Sequence, residues 1–106
     1  MPSTHSSLYF HLVFSTKGRI GWIRDSWESR LHAYLGGILR KMDGMADTIG
    51  GNVEHVHILA GLKPTHRISD VLRDLKSSSS SWIHQTIGFN SFEWQDGYGA
   101  YLDLCA

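Results

Sequence analysis

Two histidines separated by one residue, His55 and His57, are the side chains of this sequence best suited to binding a metal ion. They lie in the segment 54–62 (EHVHILAGL), where apolar residues recur with the two-residue period of a β-strand. This period places Val56 and Ile58 on one face and both imidazoles side by side on the other. Because neutral imidazole is a common ligand of divalent metal ions, the pattern predicts that the pair holds one ion.

The metal site predicted from these two histidines is incomplete. Two imidazoles leave further positions to a carboxylate, an amide, water or a phosphate oxygen. His11 is a third candidate ligand, because alternation along the first strand sets it on the face opposite Phe10 and Phe14. Seven histidines among 106 residues also make a chance His-x-His pair common, so exposed strand histidines without a metal are the alternative.

The elements that carry these histidines follow from the hydrophobic periodicity. The sequence predicts strands near residues 8–15, 45–52, 54–62 and 98–104, with helices near 26–42 and 68–87. The order β-α-β-β-α-β is that of the ferredoxin-like α+β fold, a four-stranded antiparallel sheet with two helices on one face. The other face of the sheet is bare, and the histidines are predicted to stand on it.

Several local signals refine the two helices. Asp25, with Glu28 three residues later, has the spacing of a capping box at the start of the first helix. Gly36 and Gly37 lie inside that helix at a cost of about 1 kcal/mol each, which predicts that another element packs very close to them. The five serines at residues 77–81 predict a bend in the second helix or a close approach of another backbone.

Composition places the chain in a broad class. A length of 106 residues fits one domain, residues 1–106, and no apolar run approaches the roughly 20 residues of a membrane helix. No signal-peptide pattern opens the chain, and the single cysteine, Cys105, excludes an intrachain disulfide. These features are typical of a soluble cytoplasmic protein.

Basic and acidic side chains are concentrated in different parts of the chain, although the formal net charge is zero. Residues 1–42 carry six Lys and Arg side chains against two acidic ones, whereas residues 77–106 carry three acidic side chains and no Lys or Arg. Among the cations, Lys17 and Arg19 in the first loop and Lys76 on the second helix are candidates for phosphate contacts, with solvated surface residues as the alternative.

Four phrases in fixed order carry a resemblance to a known family. They are HLVFSTKGR (residues 11–19), GGNVEHVHILAGL (50–62), ISDVLRDLKSSSSSWI (68–83) and WQDGYGAY (94–101). Together they resemble the single-tyrosine HUH transposases, which include small insertion-sequence enzymes and the tyrosine transposases associated with repetitive extragenic palindromes (REP). The resemblance extends from Leu8 to Tyr101.

The resemblance implies a function and a partner. Members of the family bind single-stranded or hairpin DNA as homodimers, and a tyrosine attacks a phosphodiester to form a 5′-phosphotyrosine link. The pair matching the family's metal ligands, His55 and His57, would hold Mg²⁺ or Mn²⁺ beside the scissile phosphate.

The sequence departs from the family in one respect. The family's tyrosine lies on a helix after the last strand, and no residue here matches it, so the chain is expected to lack that helix and to be catalytically incomplete. Tyr98 and Tyr101 match strand tyrosines and are interpreted as structural. Two alternatives stay open, a non-catalytic RNA-binding module of ferredoxin-like shape and a dimeric scaffold without a ligand. Against the RNA-binding module, the third strand has no aromatic residue on which a base could stack.

Overall fold

The computed structural model describes residues 8–104, so Cys105 lies outside the described residues. Four strands and two helices follow the predicted order. They are β1 (Leu8–Ser15), α1 (Asp25–Lys41), β2 (Met45–Gly51), β3 (His55–Leu62), α2 (Ile68–Trp82) and β4 (Gly99–Leu102). A 3-10 turn covers Lys17–Arg19, and a π-helical turn, Ile83–Ile87, continues α2.

The sheet has the strand order β2-β3-β1-β4, and every neighbouring pair is antiparallel. This arrangement confirms the predicted ferredoxin-like α+β fold. In this order β1 and β3 are central neighbours, with β2 and β4 at the two edges.

One face of the sheet and both helices form the hydrophobic core. The buried side chains come from alternate positions of β1 and β3 and from the inner stripes of the helices. They include Leu12, Phe14, Val56, Ile58 and Ala60 on the strands, and Leu31, Leu35, Leu39, Val71, Leu72 and Leu75 on the helices. The remaining positions of the strands form the face away from the helices, which we call the open face. No helix within residues 8–104 is long and apolar enough to cross a membrane.

The start of α1 differs from the predicted capping box. The helix begins at Asp25, so the N-cap position falls on Arg24, whose side chain makes no capping hydrogen bond. Asp25 and Glu28 instead lie in the first turn, where negative charge interacts favourably with the helix dipole.

The predicted close packing at the two glycines of α1 is also wrong. A Cβ atom added to Gly36 would lie 3.8 Å from its nearest neighbour, Ile49 Cδ1, which is ordinary contact. A Cβ on Gly37 would meet only the Arg40 guanidinium, also at 3.8 Å. Gly36 is buried with the Ile49 side chain of β2 beside it, whereas only the Arg40 side chain lies within 4 Å of a Cβ on Gly37.

The serine run lies within one continuous α-helix, Ile68–Trp82. Ser79 is fully buried, and its hydroxyl donates to the Leu75 carbonyl at 2.6 Å while accepting a hydrogen bond from Trp94 Nε1 at 3.0 Å. A small polar residue is needed at this point because the Trp94 indole packs directly against the helix. Ser79 thereby fixes the segment that leads into β4.

Candidate metal centre and nucleic-acid surface

The two histidines of the HVH motif lie on the open face of β3, as predicted. His57 is exposed and His55 half-buried, whereas Val56 and Ile58 between and beside them are fully buried. The two imidazole rings are nearly parallel, with centroids 5.9 Å apart and an angle of 30° between their planes.

A glycine on the neighbouring strand allows the orientation of the His57 ring. Gly50 of β2 lies directly opposite His57 in the sheet. A Cβ atom added to Gly50 would lie 2.7 Å from His57 Nε2 and 3.0 Å from Cε1, closer than side chains approach each other. The imidazole therefore lies over the Gly50 backbone, in space that any other residue at position 50 would occupy.

The histidine pair fits the requirements of two metal ligands. Two imidazoles that bind one ion at about 2.1 Å have ring centroids roughly 5 Å apart. The centroids of His55 and His57 are 5.9 Å apart, so side-chain rotation would have to bring the rings about 1 Å closer together for both to bind one ion. Within residues 8–104, no group of three or more His, Cys, Asp or Glu side chains forms a complete metal site. A carboxylate, an amide, water or a bound phosphate could each supply the further ligands.

His11 shares the open face but is not joined to the histidine pair. It lies opposite Leu59 on β3 and opposite Tyr101 on β4. Its Nε2 atom is 3.7 Å from an Asp103 carboxylate oxygen, whereas the His57 ring leans the other way, toward β2. The structure therefore groups His11 with Asp103.

His32 on α1 is a histidine that the sequence reasoning did not single out. Its Nε2 atom is buried without a hydrogen-bond partner, 3.9 Å from a Glu28 carboxylate oxygen. Burial lowers the pKa of His32, the Glu28 charge opposes this shift, and His57 lowers the pKa further.

Both candidate DNA-binding cations of the first loop are in ion pairs. Arg19 Nη1 lies 2.6 Å from Glu54 Oε1, and Lys17 Nζ lies 3.4 Å from Glu93 Oε1. The side chains of Lys17 and Arg19 are 61% and 67% exposed, so these pairs stabilise the fold little and can be exchanged for a phosphate at modest cost.

Lys76 connects α2 to the loop before β4. Its ammonium donates hydrogen bonds to the Gln95 carbonyl at 2.5 Å and the Gly97 carbonyl at 2.9 Å. Burial lowers the pKa of Lys76, and the nearby Asp96 carboxylate opposes that shift. The structure thus assigns Lys76 a contact inside the protein, with two of its three donors already used.

Tyr98 and Tyr101 lie at the β4 side of the sheet. Tyr101 is 63% exposed, and its ring folds back over Gly99, where an added Cβ would meet ring carbon Cε2 at 3.0 Å. Both tyrosines line a shallow pocket of about 320 Å³ that also includes Ser15 and Arg19. Val13 and Ser15 of the same pocket are the cross-strand partners of His57 and His55 on β3.

Fold and site together define a small ferredoxin-like domain with a potential two-histidine metal centre on its open face. A family model described as "Transposase IS200 like" matches residues 4–102. The chain therefore belongs to the IS200-like transposase family. No curated protein sequence matches the chain significantly.

Two solved structures share the fold. A protein of Deinococcus radiodurans R1, described as a transposase, is 22% identical with a TM-score of 0.83, over 94% of this chain and 84% of that chain. A REP-associated tyrosine transposase bound to a REP hairpin is 13% identical with a TM-score of 0.67, over 97% of this chain and 62% of that chain. At these identities the similarity demonstrates a common fold.

Proposed function

We propose that this member of the transposase family binds single-stranded or hairpin DNA and holds Mg²⁺ or Mn²⁺ between His55 and His57. The observation that carries the proposal is the placement of two adjacent imidazoles on the open face, with ring centroids 5.9 Å apart. A divalent ion there would supply positive charge that stabilises a phosphate in its reactive geometry.

The residues around the pair would orient it and keep it accessible. Gly50 gives the His57 ring its position, and the buried Val56 between the histidines fixes the strand register. Lys17 and Arg19 are proposed as secondary phosphate contacts, since both side chains are exposed and a phosphate can replace their carboxylate partners. A cytoplasmic location fits DNA as the partner.

We infer that Tyr101 forms no covalent link to DNA, and the structural interpretation of Tyr98 stays a prediction. Gly99, Val13, His57 and Gly50 form one row across the four strands. The Tyr101 ring lies over Gly99 and the His57 ring over Gly50, so three strand spacings, roughly 14 Å, separate them. This separation is far larger than the contact distance an attacking oxygen needs at a phosphate bound to the metal.

We also propose a homodimer formed through β4. This strand is at an edge of the sheet, and no other strand within residues 8–104 pairs with its outer side. Leu102 is 46% exposed and Leu104 83% exposed, so the edge offers both backbone hydrogen-bonding groups and apolar surface. Light scattering after gel filtration should give twice the chain mass, and Leu102→Lys should shift the protein to the monomer.

A titration with Mn²⁺ tests the central proposal. Affinity for a fluorescent DNA hairpin should rise with Mn²⁺ and exceed affinity for an unstructured strand of the same length. Equal affinity with and without the metal for both DNAs would contradict the proposal. On a denaturing gel, incubation with hairpin DNA and Mn²⁺ should yield no covalent adduct. An adduct that is lost in Tyr98→Phe or Tyr101→Phe would identify that tyrosine as the nucleophile.

A further inference from the structure

A groove of about 600 Å³ runs between α1 and α2, on the side of the sheet opposite the histidine pair. Its size falls in the range of ligand sites in proteins, roughly 300–1,000 Å³. Small, aromatic and basic side chains line it: Ala33, Tyr34, Gly37, Ile38, Arg40, Lys41 and Ser78. None of these lining residues is acidic, so the groove offers positive charge to whatever enters it.

Arg40 lies along the helix at the floor of this groove. Its two terminal nitrogens are 3.9 and 3.8 Å from the positions that Cβ atoms of Gly36 and Gly37 would occupy. The guanidinium therefore lies flat against the part of α1 that lacks side chains. Among residues 8–104, neither Arg40 nor Lys41 has an ion pair or a side-chain hydrogen bond.

The absence of ion pairs distinguishes these two cations from those of the first loop. Lys17 and Arg19 each face a carboxylate within 3.4 Å, and Lys76 faces two carbonyl oxygens. An anion entering the groove would not have to displace an internal partner from Arg40. A planar guanidinium is also well suited to bidentate contact with phosphate oxygens.

One of the lining residues, Tyr34, belongs to an aromatic pair between α1 and α2. Tyr34 stacks on Trp82 with ring centroids 5.1 Å apart and 17° between planes. The Arg30 guanidinium lies 5.7 Å from the centre of the Trp82 ring, which adds a third cation near this pair. Phosphate-binding cations beside a rigid aromatic surface are the combination by which proteins bind nucleic-acid strands.

We propose that the groove between α1 and α2 binds a phosphodiester of the DNA, with Arg40 and Lys41 as the phosphate ligands. The proposal rests on the DNA binding proposed above and assigns it a second contact surface, on the far side of the sheet from the metal centre. The two cations also interact favourably with the carboxyl end of α1. That role affects stability and does not require DNA.

Substitution of Arg40 separates the two roles. With a fluorescent DNA hairpin carrying a ten-nucleotide single-stranded flank, Arg40→Ala should weaken binding about tenfold, the loss of one charged hydrogen-bonding contact. The slope of log affinity against log salt should fall by roughly 0.7 to 0.9. Arg40→Lys should restore most of that slope. Arg73→Ala is the matched control, because Arg73 is an exposed arginine of α2 already paired with Asp70 and Asp74.

Amide chemical shifts in the wild-type protein locate the contact independently of any variant. On addition of the same hairpin, changes in the amide chemical shifts of Ala33, Gly37, Lys41 and Ser78 would support binding of DNA in the groove. Two results would contradict binding in the groove while leaving the proposed DNA binding intact. One is hairpin binding without changes in chemical shift at these four residues, and the other is an equal loss of affinity in Arg40→Ala and Arg73→Ala. Absence of binding by the wild-type protein at low salt would overturn both.

Discussion

The imidazole of His57 lies directly over Gly50, its partner across the β2–β3 pair, with Nε2 2.7 Å from where a Cβ atom would be. The HVH motif therefore depends on a residue that precedes His57 by seven positions and belongs to another strand. A histidine pair needs both rings directed toward one ion, and Gly50 allows the orientation of one of them.

Replacing Gly50 with alanine should weaken Mn²⁺ binding by about tenfold, the lower end of the range for residues that orient metal ligands. The added methyl group would force the His57 ring to rotate away from its present position. Isothermal titration with Mn²⁺ measures the effect without any assay of activity. Gly99→Ala is the matched control, since Gly99 lies in the same cross-strand row beside the flexible Tyr101 ring. Similar losses in both variants would contradict a specific role for Gly50.

The double variant His55→Ala/His57→Ala should abolish the Mn²⁺-dependent part of hairpin affinity. Its free energy of unfolding should change by less than about 0.5 kcal/mol, because neither side chain belongs to the buried core. Fluorescence anisotropy with and without Mn²⁺ and urea denaturation measure the two quantities. A metal response that survives the double substitution would place the site elsewhere in the chain.

Lys76→Met should lower the free energy of unfolding by about 1 to 2 kcal/mol, because two carbonyl groups lose a charged donor. Amide hydrogen exchange should increase at residues 95–100, the segment that the ammonium connects to α2. Urea denaturation compares the variant with Lys63→Met, whose ammonium is 4.0 Å from Asp43 at the surface. Equal stability of the two variants would show that the Lys76 contacts contribute nothing specific.

Acidification should destabilise the protein through His32. Burial lowers its pKa in the folded state below the ordinary 6.5, so the unfolded chain binds the proton more readily. The contribution of His32 is therefore fully present above pH 6.5 and is lost as pH falls from 6.5 through the lower folded-state pKa. Urea denaturation between pH 8 and 5 should show a shallower loss for His32→Leu than for the wild-type protein. Identical slopes would assign the acid sensitivity to other groups.

The secondary structure and the face of each strand followed from local periodicity. Alternation along β3 was sufficient to place Val56 under the helices and His57 on the open face, because a strand in a one-sided sheet has a single register that buries its apolar residues. Element boundaries also agreed with the prediction to within three residues, apart from the π-helical end of α2. The face of the sheet on which the histidine pair lies was thus determined by the sequence alone.

The partners of the polar side chains depended on tertiary structure. Arg19 meets a carboxylate 35 residues away and Lys17 one 76 residues away, so no local pattern could indicate that both cations are paired. The two glycines of α1 were expected to accommodate a neighbouring element. Only the packed helices showed that the space beside Gly37 is an open groove with Arg40 in it. Sequence periodicity determines which face a side chain occupies, whereas contacts between distant segments determine which charges remain available to a ligand.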